Sequence, residues 1–121
     1  MARLSAVQRR HVLLAGAAWS VPWAHAAWPS DNRSVRILVP WPTGGATDQV
    51  GRMLAQPLGA ALGLSVVVEN KGGAGGVIGT QQFVKEKPDG HSLLLATSST
   101  NAAAVHLYQR LGFDPLKDFT P

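Results

Sequence analysis

The 121-residue sequence contains no cysteine and only four histidines. Without cysteine the chain cannot form disulfides, thiolate metal sites, iron–sulfur clusters or a cysteine nucleophile. The histidines are scattered along the chain, so we expect neither a metal site nor a cofactor held by one. Charged residues are scarce at 15%, whereas 45% of the residues are hydrophobic. That hydrophobic share excludes a disordered chain and suits the core of one domain.

The net charge of +4 comes mostly from the start of the chain. Residues 1–26 hold three arginines and no acidic residue, which leaves eight Lys or Arg (11 − 3) against all seven Asp or Glu. The eight are spread singly, and no basic stripe interleaves with aromatic residues as a nucleic-acid surface requires. We therefore predict no nucleic-acid partner.

Residues 1–26 have the pattern of a cleavable export signal. Three arginines precede an apolar stretch at 12–21, Pro22 follows it, and Ala24 and Ala26 supply small residues before a cleavage site. The apolar stretch is too short to span a bilayer. We predict cleavage after Ala26 and a periplasmic mature chain of residues 27–121. The adjacent Arg9 and Arg10 leave the twin-arginine and general secretory routes both open.

After this leader, short apolar runs alternate with helical patterns three times. Strands are predicted at 35–39, 64–70 and 92–96, and helical patterns at 50–62, 77–87 and 101–109. This alternation is typical of βαβ units, and therefore of an α/β fold with a parallel sheet. The tail from Leu111 is predicted to be a loop.

Individual residues allow more detailed predictions for these elements. Val50, Met53, Leu54, Leu58, Ala61 and Leu62 follow one another at helical spacing and predict one apolar face. Pro57 and Gly59 predict a kink or an early end to this first helix. The second strand is β-branched throughout, which predicts a buried strand.

The loop after each predicted strand is rich in Gly, Ser or Thr. In parallel sheets, ligands bind at the carboxyl ends of the strands, and helix N-termini behind small residues favour anions. The three loops together therefore favour an anion site, although each glycine could simply form a tight turn. A dinucleotide site is disfavoured because Ile78 stands at the third glycine position of G-x-G-x-x-G, and no Gly-Lys dipeptide permits a P-loop.

Enzyme signatures are weak. No G-x-S-x-G motif surrounds Ser98 or Ser99. Asp48 and Glu69 could pair as acid and base, but Asp48 is better explained as a helix-capping residue. We therefore expect no catalytic residues and no enzyme activity.

Four segments nevertheless resemble one family. They are 34–48 with SVRILVPWPTGGATD, 66–76 with VVVENKGGAGG, 88–95 and 108–121. All four are similar to the Bug or TctC-type extracytoplasmic solute receptors of tripartite tricarboxylate transporters. The resemblance implies a two-lobed, flytrap-like periplasmic protein that binds small carboxylates and delivers them to a membrane permease.

The same resemblance implies which residues bind the ligand, through two loops that hold a carboxylate with backbone amides, hydroxyls and water. Trp41 would form an apolar wall, and Thr47 with Asp48 would cap a helix and face the pocket. Ser99 departs from the usual glycine, Thr43 from a frequent proline, and Ala104-Val105 from a frequent Asn-Pro. The implied ligand-binding residues are Trp41, Pro42, Thr43, Gly44, Gly45, Ala46, Thr47, Asp48, Thr97, Ser98, Ser99 and Thr100.

Family members are much longer, so the resemblance implies the N-terminal part of lobe 1, truncated before the second lobe. Such a fragment is expected to be marginally stable, with exposed sheet edges. The alternatives are a nucleotide-binding half-domain of an α/β enzyme, such as a reductase, and a non-functional remnant.

Overall fold

The computed structural model describes residues 32–121, so the predicted export signal and its cleavage site lie outside the described residues. Within this range no helix has both the length and the apolar character needed to cross a membrane. The described residues form a parallel sheet from β1 (Val35–Val39), β2 (Val66–Asn70) and β3 (Ser92–Leu94), in the order β2-β1-β3. The predicted α/β class is confirmed.

The central strand β1 has the predicted bounds and supplies most of the core. Val35, Leu38 and Val39 are fully buried, and Ile37 nearly so. A strand that is apolar on both faces needs cover on both faces, which a central parallel strand receives from the crossover helices. The amide of Lys71 donates to the carbonyl of Val39 at 2.8 Å, so pairing with β2 continues to the carboxyl end of β1.

The first helix, α1 (Ala46–Leu62), covers the sheet face formed by alternate residues of β1 and β2. It approaches the sheet through glycine: a Cβ at Gly51 would lie 3.0 Å from Cγ2 of Val39, and one at Gly59 would lie 2.9 Å from the carbonyl oxygen of Leu64. The predicted apolar face is therefore wrong in part. Met53 is 75% exposed, and Val50 and Leu54 are about half exposed, because the glycine side of the helix faces the sheet.

Of the two outcomes predicted at Pro57 and Gly59, a kink or an early end, the early end does not occur. The helix continues through Pro57 to Leu62 and ends at Gly63, which has a left-handed φ of 66° and donates its amide to the carbonyl of Gly59. An interior proline removes one helical hydrogen bond, but the contacts of α1 with β1 and β2 hold the helix on both sides of it. Gly59 is thus a contact residue and not a breaker.

The prediction that β2 is buried is wrong. β2 is an edge strand, and Val67 is 49% exposed. α1 covers Val66 and Val68 on one face, whereas the second helix packs on β1 and β3 and leaves Val67 open. Composition predicted the strand, which begins at Val66 and not at Leu64, but could not place it within the sheet.

The other two predicted helices have different bounds in the structure: the second ends before residue 87, and the third is helical over 99–107 and not over 101–109. A 3-10 turn (Ala74–Gly76) leads into α2 (Val77–Val84), and a π-helical turn (Ser99–Ala103) leads into α3 (Ala104–Leu107).

The tail is a loop, as predicted, but it packs against the domain. Phe113 is buried in a small cluster with Val77 and Ala104. The ring of Phe119 packs edge-to-face on Phe113 at a centroid distance of 5.8 Å and stacks on Phe83 at 6.2 Å. The tail therefore extends the core beneath α2.

Candidate functional site

The loops that follow the three strands meet at the carboxyl edge of the sheet. A Cβ at Gly76 would lie 2.5 Å from Cγ2 of Thr100 and 3.2 Å from the carbonyl oxygen of Pro40, which brings all three loops into contact. A Cβ at Gly72 would similarly lie 3.1 Å from the Cδ of Pro42. Small residues here permit close packing of backbone on backbone. The structure thus brings the β2 loop into contact with both of the loops that the sequence singled out.

The first loop ends at Gly45, which precedes the first residue of α1 and caps it without a side-chain hydrogen bond. The first amides of a helix have no acceptor within the helix. In the described part of the chain, the amides of Gly45, Ala46 and Thr47 have no other acceptor. Gly45 and Ala46 are exposed, and Thr47 is partly buried. They form a set of donors at the positive end of a 17-residue helix.

Asp48 does not occupy the capping position that the sequence predicted. It lies in the first turn of α1, is 2% exposed, and its Oδ2 accepts the amide of Gly44 at 2.8 Å. Arg52, one turn further on, donates through Nε to the same oxygen at 3.0 Å. The carboxylate is therefore turned back onto its own loop and helix, not outward.

Asn70, the last residue of β2, completes this cluster. Its Nδ2 lies 3.0 Å from Oδ1 of Asp48 and 3.2 Å from the carbonyl oxygen of Trp41. The hydrogen bonds from Arg52, Gly44 and Asn70 lower the pKa of Asp48 to about 2, against the opposing effect of burial. Asp48 is therefore ionised at neutral pH and already satisfied by donors.

Trp41 forms a half-buried side of the first loop, whereas Pro42, Thr43 and Gly44 are exposed. The indole nitrogen of Trp41 is buried and has no hydrogen-bond partner among residues 32–121. A buried donor without an acceptor is unfavourable. Trp41 is thus more than the apolar wall that the resemblance implied, because it also holds an unused donor.

In the third loop, Thr97 and Thr100 hold the backbone while Ser98 and Ser99 face solvent. Thr100 is fully buried, and its Oγ1 accepts the amide of Thr97 at 3.1 Å. The amide of Thr100 in turn donates to the carbonyl of Thr97 at 3.1 Å. Of the four predicted residues, only the two serines present free hydroxyls at the surface, so the threonines act on the shape of the loop.

The arrangement does not support acid–base catalysis. Asp48 and Glu69 share no partner: Asp48 contacts α1 and Asn70, whereas Glu69 pairs with Arg36 and Lys71. Arg36 first, and then Lys71, lowers the pKa of Glu69, so neither carboxyl holds a proton at neutral pH. Among residues 32–121, no three His, Asp or Glu side chains are grouped to hold a metal ion.

Three residues of this edge were not predicted from the sequence: Asn70, Arg52 and Tyr108. The hydroxyl of Tyr108 donates to the carbonyl of Ala74 at 2.8 Å and so ties the segment after α3 to the β2 loop. A polar residue at the carboxyl end of a parallel strand, and an Arg four residues after an Asp on a helix, are signals that could have identified Asn70 and Arg52.

Comparison with known proteins identifies the family. The profile of the tripartite tricarboxylate transporter family receptor, TctC, matches residues 50–121. The chain belongs to the TctC family. BugT of Bordetella pertussis is 40% identical over the whole of this chain, which spans 36% of that protein.

Comparison with solved structures supports the same family. The periplasmic binding protein BugD has 43% identity and a TM-score of 0.68, over 75% of this chain and 30% of BugD. Rpa4515 of R. palustris, solved with adipate, has 35% identity and a TM-score of 0.72, over 78% and 31%. The chain therefore spans about a third of the length of the TctC relatives it matches.

Proposed function

We propose that this protein is a periplasmic receptor that binds small carboxylates and delivers them to a membrane permease of the tripartite type. The observation that carries the proposal is the set of free amides at the N-terminus of α1, in a loop that meets the β2 and β3 loops. Membership of a family of transporter receptors and the adipate in a relative support it. Residues 1–26 would direct export, with cleavage after Ala26.

A carboxylate is favoured over a nucleotide because neither a dinucleotide fingerprint nor a P-loop accompanies these donors. The amides of Gly45, Ala46 and Thr47 are neutral, and the nearby cation, Arg52, is already engaged by Asp48. Ser98 and Ser99 would add hydroxyls and amides from the facing loop. A binding role through neutral hydrogen bonds also agrees with the ionised, fully partnered state of Asp48, and not with an enzyme.

Adipate titration of the 121-residue chain followed by NMR tests the proposal, because NMR detects weak binding. We expect amide shifts at 43–48 and 97–100 with adipate and none with ATP or NAD. Ala46→Pro tests the role of the amides directly, since proline is favourable at the first helical position yet removes one amide donor. The preceding Gly45 has extended dihedrals (φ −76°, ψ 169°), which suit a following proline.

We expect Ala46→Pro to keep its thermal stability and to weaken adipate binding, while Ala46→Ser, which keeps the amide, binds as the parent does. Shifts with a nucleotide and none with adipate would contradict the proposal and favour an α/β enzyme fragment.

A further inference from the structure

Asn70 uses both ends of its side-chain amide to join three groups on other segments. Nδ2 donates to the carbonyl oxygen of Trp41 and to Oδ1 of Asp48, at 3.2 and 3.0 Å. Oδ1 accepts from Nη2 of Arg52 at 3.3 Å. In the sheet register Asn70 lies beside Val39, the last residue of β1, so it stands where the first loop begins.

We propose that Asn70 is a positioning residue that holds the first loop open to an anion, an inference that rests on the proposed function. Two oxygen-bearing groups at this site, the carbonyl of Trp41 in the loop and the carboxylate of Asp48 in the first turn of α1, would repel a bound carboxylate if they turned outward. Asn70 draws both toward the end of β2. The amides of Gly45, Ala46 and Thr47 are then the groups left to face a ligand.

Strand pairing does not depend on this side chain. The backbone amide of Lys71 donates to Val39 at 2.8 Å, and the β1–β2 ladder runs from Val35 to Val39. Asp48 also keeps Gly44 and Arg52 as partners if Asn70 is shortened. Loss of the amide is therefore expected to loosen the loop without unfolding the sheet.

The first test is Asn70→Ala in the 121-residue chain, with Gln56→Ala, an exposed change on α1, as its control. NMR measures the hydrogen-exchange protection of the Gly44 amide, which reports the Asp48 contact, and adipate affinity from amide shifts. We expect a loss of about tenfold in both for Asn70→Ala and none for the control, because one hydrogen bond to a charged group is lost. Protection within β1 is expected to stay unchanged.

The second test separates a specific contact with Asp48 from a general structural role. Asn70→Asp keeps the shape of the side chain but places a second carboxylate next to that of Asp48. Arg52 is the other charged group in contact with position 70. Carboxylates at such a distance share a proton as the pH falls, and the shared proton restores a donor to Asp48. Protection of Gly44 is therefore expected to recover from pH 8 to pH 5 in this variant, but not in Asn70→Ala.

The outcomes separate the two proposals. If the parent chain binds adipate and Asn70→Ala matches it in affinity and in Gly44 protection, the positioning role is overturned and the proposed function stands. If the parent chain does not bind adipate, the proposed function fails. The protection of Gly44 in the two variants then decides the positioning role by itself: unchanged protection overturns it, and a loss that Asn70→Asp reverses at low pH supports it.

Discussion

Arg36 and Glu69 form an ion pair across neighbouring strands, with Nη1 of Arg36 2.6 Å from Oε2 of Glu69. The same guanidinium contacts Glu86, just after α2, and Nζ of Lys71 lies 3.2 Å from Oε1 of Glu69. The pair lies on the face of the sheet opposite α1. It ties the central strand to the edge strand and to the residues just after α2.

Because of this ion pair, we expect the free energy of unfolding to decrease as the pH becomes acidic. Arg36 and Lys71 lower the pKa of Glu69 below its ordinary 4.5, so the unfolded chain binds more protons than the folded chain as the pH falls. The stabilisation is present above the unfolded pKa and is lost as the pH falls through the folded one. We expect Glu69→Gln to cost about 1 kcal/mol at pH 7, since the pair is partly exposed.

Urea unfolding at several pH values checks this prediction. The free energy of unfolding of Glu69→Gln is expected to fall less steeply than that of the parent chain as the pH drops below about 5. The same slope in both proteins would show that the ion pair contributes nothing to acid sensitivity.

Position 76 requires glycine for two reasons: the three loops pack closely around it, and its φ is 92°. In Gly76→Ala a methyl group would meet Thr100 and the Pro40 carbonyl, so we expect a loss of about 3 kcal/mol, from backbone strain and overpacking together. Gly44→Ala is the matched control: its φ is 86°, but nothing lies within 4 Å of the added Cβ. It is expected to cost about 1 kcal/mol, from strain alone. Equal losses in urea unfolding would refute the packing role.

Trp41→Phe removes a buried donor that has no acceptor among the described residues. Leaving such a group unsatisfied costs about 1–3 kcal/mol, and relief of that cost offsets the poorer packing of the smaller ring. We expect the variant to match or exceed the thermal stability of the parent chain. Trp41→Leu, which also lacks the donor but fills the space less well, is expected to be less stable. A drop in Tm for Trp41→Phe as large as that for Trp41→Leu would contradict the prediction.

Export of the chain can be tested through its first 26 residues. Mass spectrometry of the periplasmic protein is expected to find Ala27 at the N-terminus, because small residues at 24 and 26 follow an apolar stretch ended by Pro22. Arg9→Lys/Arg10→Lys abolishes export if the twin-arginine route is used, and leaves it unchanged if the general route is used. An intact Met1 in the cytosolic fraction would argue against a cleaved signal.

Local patterns determined the elements of this protein and their class. The apolar run at 35–39 predicted β1 with its observed bounds, and alternation with helical patterns predicted a parallel sheet. The loop motifs also indicated the TctC family, which the comparison confirmed. These inferences succeed because strand propensity, helical period and turn chemistry depend on neighbours in the chain.

Tertiary structure decided which side of each element is buried and which groups meet. Gly51 and Gly59 turned the glycine side of α1 toward the sheet, and the edge position of β2 exposed Val67. Asn70 reaches Asp48 across 22 residues of sequence. Contacts of this kind depend on strand order, on register and on how a helix is rotated about its axis. These are properties of the packed molecule that no single stretch of sequence encodes, because each is set by the free energy of the whole core.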